Sequence, residues 1–232
     1  MNFTLDLVAS ENYLSPLVKT LLLSKFGERY YLANGSLNPE DSPYPIDPQF
    51  VSILEGGNKL LGQEFGAGWV DPRPLSGTHA MNCLLAGLLV PGDTVMICPE
   101  SVGGHFATEY MANRLGLRVL HSLYDPQLFT MDVSSSAQLA NKERPKVICF
   151  DVSHQLFPHP VQDFKKQLTY SPIITYDASH VMGLLSGAVL QNPLAEGADL
   201  LHGSTHKSFP GPQKAIFAGN STDLKNKIDS IM

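Results

Sequence analysis

Residues 199–208 read Asp199-Leu200-Leu201-His202-Gly203-Ser204-Thr205-His206-Lys207-Ser208: a short apolar run that opens into glycine, hydroxyl side chains and a lysine. The run is too short for a helix and ends in turn formers, which predicts a buried strand. A lysine among serine, threonine and histidine at a strand end is poorly explained as a surface residue. An amine there can condense with a carbonyl. The preceding apolar run, Ile173-Ile174-Thr175-Tyr176, opens in the same way into Asp177-Ala178-Ser179-His180. In α/β folds, ligands lie beyond the carboxyl ends of strands. Asp177 is therefore a candidate for holding a protonated ring nitrogen, the arrangement that lets a pyridinium draw electrons from a carbanion. Taken alone, Asp177 is explained equally well as a helix N-cap.

Outward from these two runs, strand-like segments are expected at 94–98, 117–121, 146–150, 173–176, 199–202 and 215–218. Helical patterns fit 15–25, 48–65, 78–90, 104–115 and 161–168. Their interleaving predicts an α/β fold, a mostly parallel mixed sheet between layers of helices. Pro91-Gly92-Asp93 turns a helix into the strand at Thr94, since proline stops the helix and glycine permits the tight turn. A segment with four prolines, 38–48, reads as an ordered loop and a border. It divides an N-terminal helix and contact segment, 1–45, from a large domain, 46–232.

The chain has 232 residues, 43 % of them hydrophobic, enough for a substantial core without a staple. Its 16 basic and 22 acidic side chains are dispersed, with no basic block to follow a phosphodiester backbone, so nucleic-acid binding is not expected. The longest apolar stretch, 80–90, is interrupted by Asn82 and is too short to span a bilayer. No signal peptide is visible at the N-terminus. Cys83, Cys98 and Cys149 are far apart, odd in number and set in apolar runs, which reads as reduced core residues in a cytoplasmic protein, with no metal site.

Leu75-Ser76-Gly77-Thr78-His79 places small and hydroxyl residues just before a helix, where free amides and the helix dipole favour a phosphate. By itself a plain N-cap explains that pattern better. It gains weight from its company. The segments Leu7-Val8-Ala9-Ser10-Glu11-Asn12-Tyr13, Arg29-Tyr30-Tyr31, Ser76-Gly77, Gly103-Gly104-His105, Asp177-Ala178-Ser179-His180 and Ser204-Thr205-His206-Lys207 occur in this order. In that order they resemble the serine hydroxymethyltransferase family.

The resemblance runs from about residue 5 to about 218 and implies the fold-type I architecture of pyridoxal-phosphate enzymes, which work as dimers with shared sites. It implies that Lys207 carries the cofactor as a Schiff base, with Asp177 on the pyridinium nitrogen and His180 beside the ring oxygen. Ser76, Gly77 and Thr78 would hold the phosphate, and His206 and Asp151 would lie at the cofactor. His105 matches a histidine that stacks on the ring, its alternative being a helix cap. Ser10 matches a serine near the substrate carboxylate. Glu28 matches a glutamate that handles hydroxyl protons, and Tyr31 a tyrosine donated across the dimer to catalysis and substrate binding.

Departures from the family pattern shape the expected activity. Gln213 stands in place of an arginine, His79 in place of a glutamine, and Asp151 in place of a serine. The arginine that grips the amino-acid carboxylate belongs to a C-terminal domain without counterpart here. The expectation is half of a split enzyme, completed by a second polypeptide carrying that domain or assembled as a homo-oligomer. The chemistry implied is making or breaking a carbon–carbon bond at the α-carbon of an amino acid. An aldehyde or one-carbon unit would be the partner, with tetrahydrofolate a candidate co-substrate. Two alternatives remain: an inactive regulatory or scaffolding subunit binding a full-length relative, and a decarboxylase or aminotransferase on the same fold.

Overall fold

The computed structural model describes residues 7–28 and 39–232. Tyr31, with Arg29 and Tyr30, lies outside the described residues. Each expected strand forms: β2 (Thr94–Ile97), β3 (Arg118–His121), β6 (Val147–Phe150), β7 (Ile173–Asp177), β8 (Leu200–Ser204) and β9 (Ala215–Gly219). They join β1 (Trp69–Asp71) in a sheet of order β1-β9-β8-β7-β6-β2-β3. The ladders β8-β7, β7-β6, β6-β2 and β2-β3 are parallel, while β9 runs antiparallel to both β8 and β1. A separate two-stranded ribbon pairs β4 (Tyr124–Asp125) with β5 (Thr130–Met131).

Strand sequences that are apolar throughout suit a sheet covered on both faces. Alternate residues divide accordingly. Val95, Ile97, Val147, Cys149, Leu200 and Phe217 face α3 (Gly77–Leu88), α4 (Phe106–Arg114) and α9 (Thr222–Asp229). Met96, Ile148, Phe150, Tyr176, Leu201 and Ile216 join the opposite cluster, with α2 (Pro48–Phe65), α5 (Val133–Glu143), α6 (Val161–Lys166), α7 (Met182–Ser186) and α8 (Pro193–Glu196). The architecture is that of fold-type I, a mostly parallel mixed sheet between helices.

The helix borders follow local chemistry. Asp47 caps α2 from the Gln49 amide, Pro48 opens it, and Gly66, in the left-handed region at φ 65°, ends it. Gly92, at φ 91°, turns the chain out of α3 towards β2, and its amide donates to the Gly116 carbonyl at 2.8 Å. α1 (Pro16–Leu22) is shorter than the pattern at 15–25 suggested and contains no buried residue. Among the described residues, no helix is long and apolar enough to cross a membrane.

Candidate active site

At the carboxyl edge of the sheet, β7 ends at Asp177, β8 at Ser204, and α3 points its N-terminus at both. Between them lies a cavity of about 80 Å³ whose walls include Ser76, Gly77, Thr78, Asp177, His105 and Lys207, with Ser179, Ser204, His206 and Met81 completing it. Gly77 is required by close approach: a Cβ there would stand 2.5 Å from Ser204 Oγ and 2.6 Å from Ser179 Oγ. That approach brings the start of α3 onto the strand ends, and the Gly77 amide donates to Ser204 Oγ at 3.2 Å. Ser76 Oγ accepts from the His79 amide, capping α3. The Thr78 amide, in the same first turn, meets no acceptor among the described residues. An anion fits there.

Lys207 lies on the connection between β8 and β9, half-buried, with Nζ 2.9 Å from His180 Nε2. Burial lowers its affinity for a proton, against the pull of the Asp177 carboxylate. Burial and the neighbouring ammonium push His180 down to about 4, so the imidazole is neutral and accepts from the lysine. Its Nδ1 is buried and meets no hydrogen-bond partner among the described residues. One oxygen of Asp177 accepts from the Ser179 amide at 2.8 Å, in a local turn. The next helix, α7, has Val181 at its N-cap position with no side-chain capping bond, so Asp177 is not its N-cap. The other Asp177 oxygen makes no hydrogen bond among the described residues.

His105 sits at the N-terminus of α4 but makes no side-chain capping bond, contrary to the capping alternative. Its ring stacks on Phe106, centroids 5.0 Å apart, and burial lowers its proton affinity. His206 reaches the Lys214 carbonyl through Nδ1 at 3.4 Å.

Three expected site residues lie elsewhere. Asp151 is absent from the cavity wall: it is 2 % exposed, and Oδ1 accepts from the Cys98 amide at 2.9 Å behind the turn that carries His105. The resemblance implies Asp151 at the cofactor; in the structure its carboxyl turns to the Cys98 amide at the end of β2. Ser10 and Glu28 are exposed on the N-terminal segment and do not line the cavity. That segment touches the site region where Asn12 Nδ2 donates to the Phe209 carbonyl at 3.0 Å, two residues past Lys207. Conversely, Ser179 and Ser204 line the cavity and were not singled out, though both stand next to motif residues at strand ends.

A larger cavity, about 470 Å³, opens over the other face of the sheet between α2 and the α7–α8 loop. Several of its polar groups are already engaged. Gln191 accepts from the His159 amide and the Tyr176 hydroxyl, and Ser186 donates to Glu64. It contains no amine to act on a carbonyl.

An amine of lowered proton affinity, a carboxylate with an open oxygen and a helix N-terminus with a free amide thus converge on one small space. Such a set can hold a phosphorylated aromatic carbonyl compound at three points. The serine hydroxymethyltransferase family profile matches residues 2–229. Fluorothreonine transaldolase of Streptantibioticus cattleyicolor is 36 % identical over 97 % of this chain and 36 % of the relative. Serine hydroxymethyltransferase of Thermoplasma volcanium is 38 % identical over 93 % of this chain and 50 % of the relative. The crystal structure of L-threonine transaldolase from Pseudomonas fluorescens in its internal aldimine state superposes with a TM-score of 0.88 at 30 % identity. It covers 96 % of this chain and 51 % of that one. The chain spans about half the length of the serine hydroxymethyltransferases it matches, and less of the fluorothreonine transaldolase.

Proposed function

Because the chain belongs to the serine hydroxymethyltransferase family, whose cofactor is pyridoxal phosphate, we propose that its cavity at Lys207 holds that cofactor for carbon–carbon bond chemistry at the α-carbon of an amino acid. The single observation that carries the reading is the convergence of Lys207, Asp177 and the start of α3 on one cavity. The residues fit the group: Lys207 would meet its aldehyde, the open oxygen of Asp177 would take its ring nitrogen, and the Thr78 amide with the α3 dipole would hold its phosphate. Bound there, the cofactor supplies an electron sink for the substrate's α-carbon.

The protein's own part is to hold charge and protons in place. The neutral His180 accepts from Lys207 and leaves the amine uncrowded by a second positive charge. Asp177, fixed by the Ser179 amide, keeps one oxygen for a cationic ring nitrogen. His105 presents its ring at the cavity wall, in reach of stacking. Ser10, Glu28 and Tyr31 are proposed to act on substrate rather than cofactor, Tyr31 from across a dimer.

The fluorothreonine and L-threonine transaldolases among the relatives support exchange of an aldehyde between amino acids as the reaction, beside hydroxymethyl transfer with a folate. The carboxylate-gripping groups are proposed to lie outside these 232 residues, and the site of action is proposed to be the cytoplasm. Adding pyridoxal phosphate to the purified chain tests the reading. The visible band of lysine-bound cofactor is expected in the parent and absent in Lys207→Ala; no band in either, alone or with a partner, overturns it. Product analysis with serine, threonine or glycine and an aldehyde then identifies the bond made.

A further inference from the structure

Behind His105 lies a buried polar cluster that the proposed chemistry does not use. Asp151 follows β6 directly and joins three elements. Its Oδ1 accepts from the Cys98 amide at the exit of β2, and its main-chain carbonyl accepts from the His105 amide at 3.1 Å. Just past it in the chain, Val152 bridges to Gly104 and the Ser153 amide donates to the Gly103 carbonyl at 2.7 Å. The packing is tight enough that a Cβ on Gly104 would stand 2.1 Å from the Cys98 carbonyl oxygen.

The remaining oxygen, Oδ2, is buried and meets no hydrogen-bond partner among the described residues, and the same holds for Thr108 Oγ1 in the first turn of α4. The Thr108 hydroxyl neighbours the carboxyl closely enough to hold its proton affinity down. Two buried, unsatisfied polar atoms side by side are costly unless they meet. His105 itself has no side-chain cap, so its placement rests on these backbone bonds and on Phe106.

We propose that Asp151 is a positioning residue for His105: its carboxyl clamps the end of β2 to the first turn of α4 and so sets the imidazole at the cavity wall. The clamp's value for cofactor binding rests on the functional reading above. The groups facing the carboxyl are the thiols of Cys98 and Cys149, the phenol of Tyr124 on β4 and the carboxylate of Asp177 on β7. All are neutral or negative, and burial pushes Asp151 up to about 7. Protonated, Asp151 donates to Thr108; ionised, it can only accept, so the contact reverses its hydrogen bond near neutral pH.

The test follows the His105 ring by NMR in the 232-residue chain without cofactor, its resonance identified by its loss in His105→Gln. The resonance is expected to move as pH passes through about 7. Asp151→Asn, which can donate to Thr108 at every pH, should remove the inflection near 7 and leave only the ring's own protonation at lower pH, while keeping the fold. Asp151→Ala and Thr108→Val should displace the resonance at all pH values and weaken pyridoxal phosphate binding roughly tenfold, the size of coupling between packed neighbours. If Asp151→Ala does not fold, Thr108→Val carries that arm. The same inflection in Asp151→Asn as in the parent overturns the clamp. A chain whose His105 responds as expected but takes up no cofactor overturns the functional reading and leaves the clamp standing.

Discussion

Two helices with similar apolar patterns meet different fates here. α3 places Ala80, Leu84 and Leu85 against the sheet with no exposed surface, whereas α1 leaves Leu17 70 % and Leu21 60 % exposed. Both are amphipathic on paper. Only α3 has a strand face waiting for it, because β8 and β9 present Leu200 and Phe217 on its side. The same division separates the expected site residues. Those on the sheet edge converge, and Ser10 and Glu28, near the ends of the N-terminal segment, do not. Apolar pattern names the side a helix would bury; whether anything lies there depends on the rest of the assembly.

The sharpest way to break this comparison is at the centre of the converged half. Lys207→Ala should abolish the lysine-bound absorbance band completely, while Glu28→Gln and Ser10→Ala leave the band of the isolated chain intact. A band lost in either of the latter would place the N-terminal segment at the cofactor.

Next in size is the core on which α3 rests. Leu84→Ala should cost about 2–5 kcal/mol, because its site is closed on all sides and collapses only partly. The pair Leu17→Ala and Leu21→Ala should stay within about 0.5 kcal/mol in the isolated chain. Urea melts of the variants measure both. A large loss at α1 would show that it packs on something in solution.

A pH effect of comparable size belongs to Asp151. Its folded-state proton affinity is raised, so the favourable contribution is full below the ordinary carboxylate value of about 3.9 and is lost as pH rises to about 7. Across that window, ionisation of the buried carboxyl should lower stability by at most a few kcal/mol. Asp151→Asn should flatten the fall, gaining on the parent at pH 8 and not at pH 4. Parallel curves for the two chains would show that the carboxyl escapes its burial. The smallest expected effect is at Asn12. Asn12→Ala removes one exposed bond to the Phe209 carbonyl and should cost about 1 kcal/mol or less in a urea melt.

Much of this molecule was legible in its sequence. β2, β6, β7, β8 and β9 were marked because strands buried on both faces carry uninterrupted apolar runs, and α2 matched its pattern at both ends through Asp47, Pro48 and Gly66. α5 and α9 were missed because α5 opens on a serine-rich stretch, Ser134-Ser135-Ser136, and α9 is polar apart from Leu224 and Ile228. β1 was missed because three residues carry no periodicity. At the site, Lys207, Asp177, His105 and the start of α3 could be named from motif order. The inward turn of Asp151 could not, because it depends on a bond to the Cys98 amide at the end of β2, distant in sequence.

The reversed direction of β9 has a mechanical consequence. Because β8 and β9 are antiparallel neighbours, Lys207 rides on a loop whose two ends are stitched together by the Ser204–Ala215 register and by the Thr205 amide on the Lys214 carbonyl at 3.0 Å. Thr205 Oγ1 to the Pro212 carbonyl and the Gly211 amide to the Thr205 carbonyl tie the loop again from inside. The amine is therefore held on a short tether. If displaced, it returns by rotating side-chain torsions, with its local concentration at the cavity set by the length of one lysine and not by the wandering of a loop.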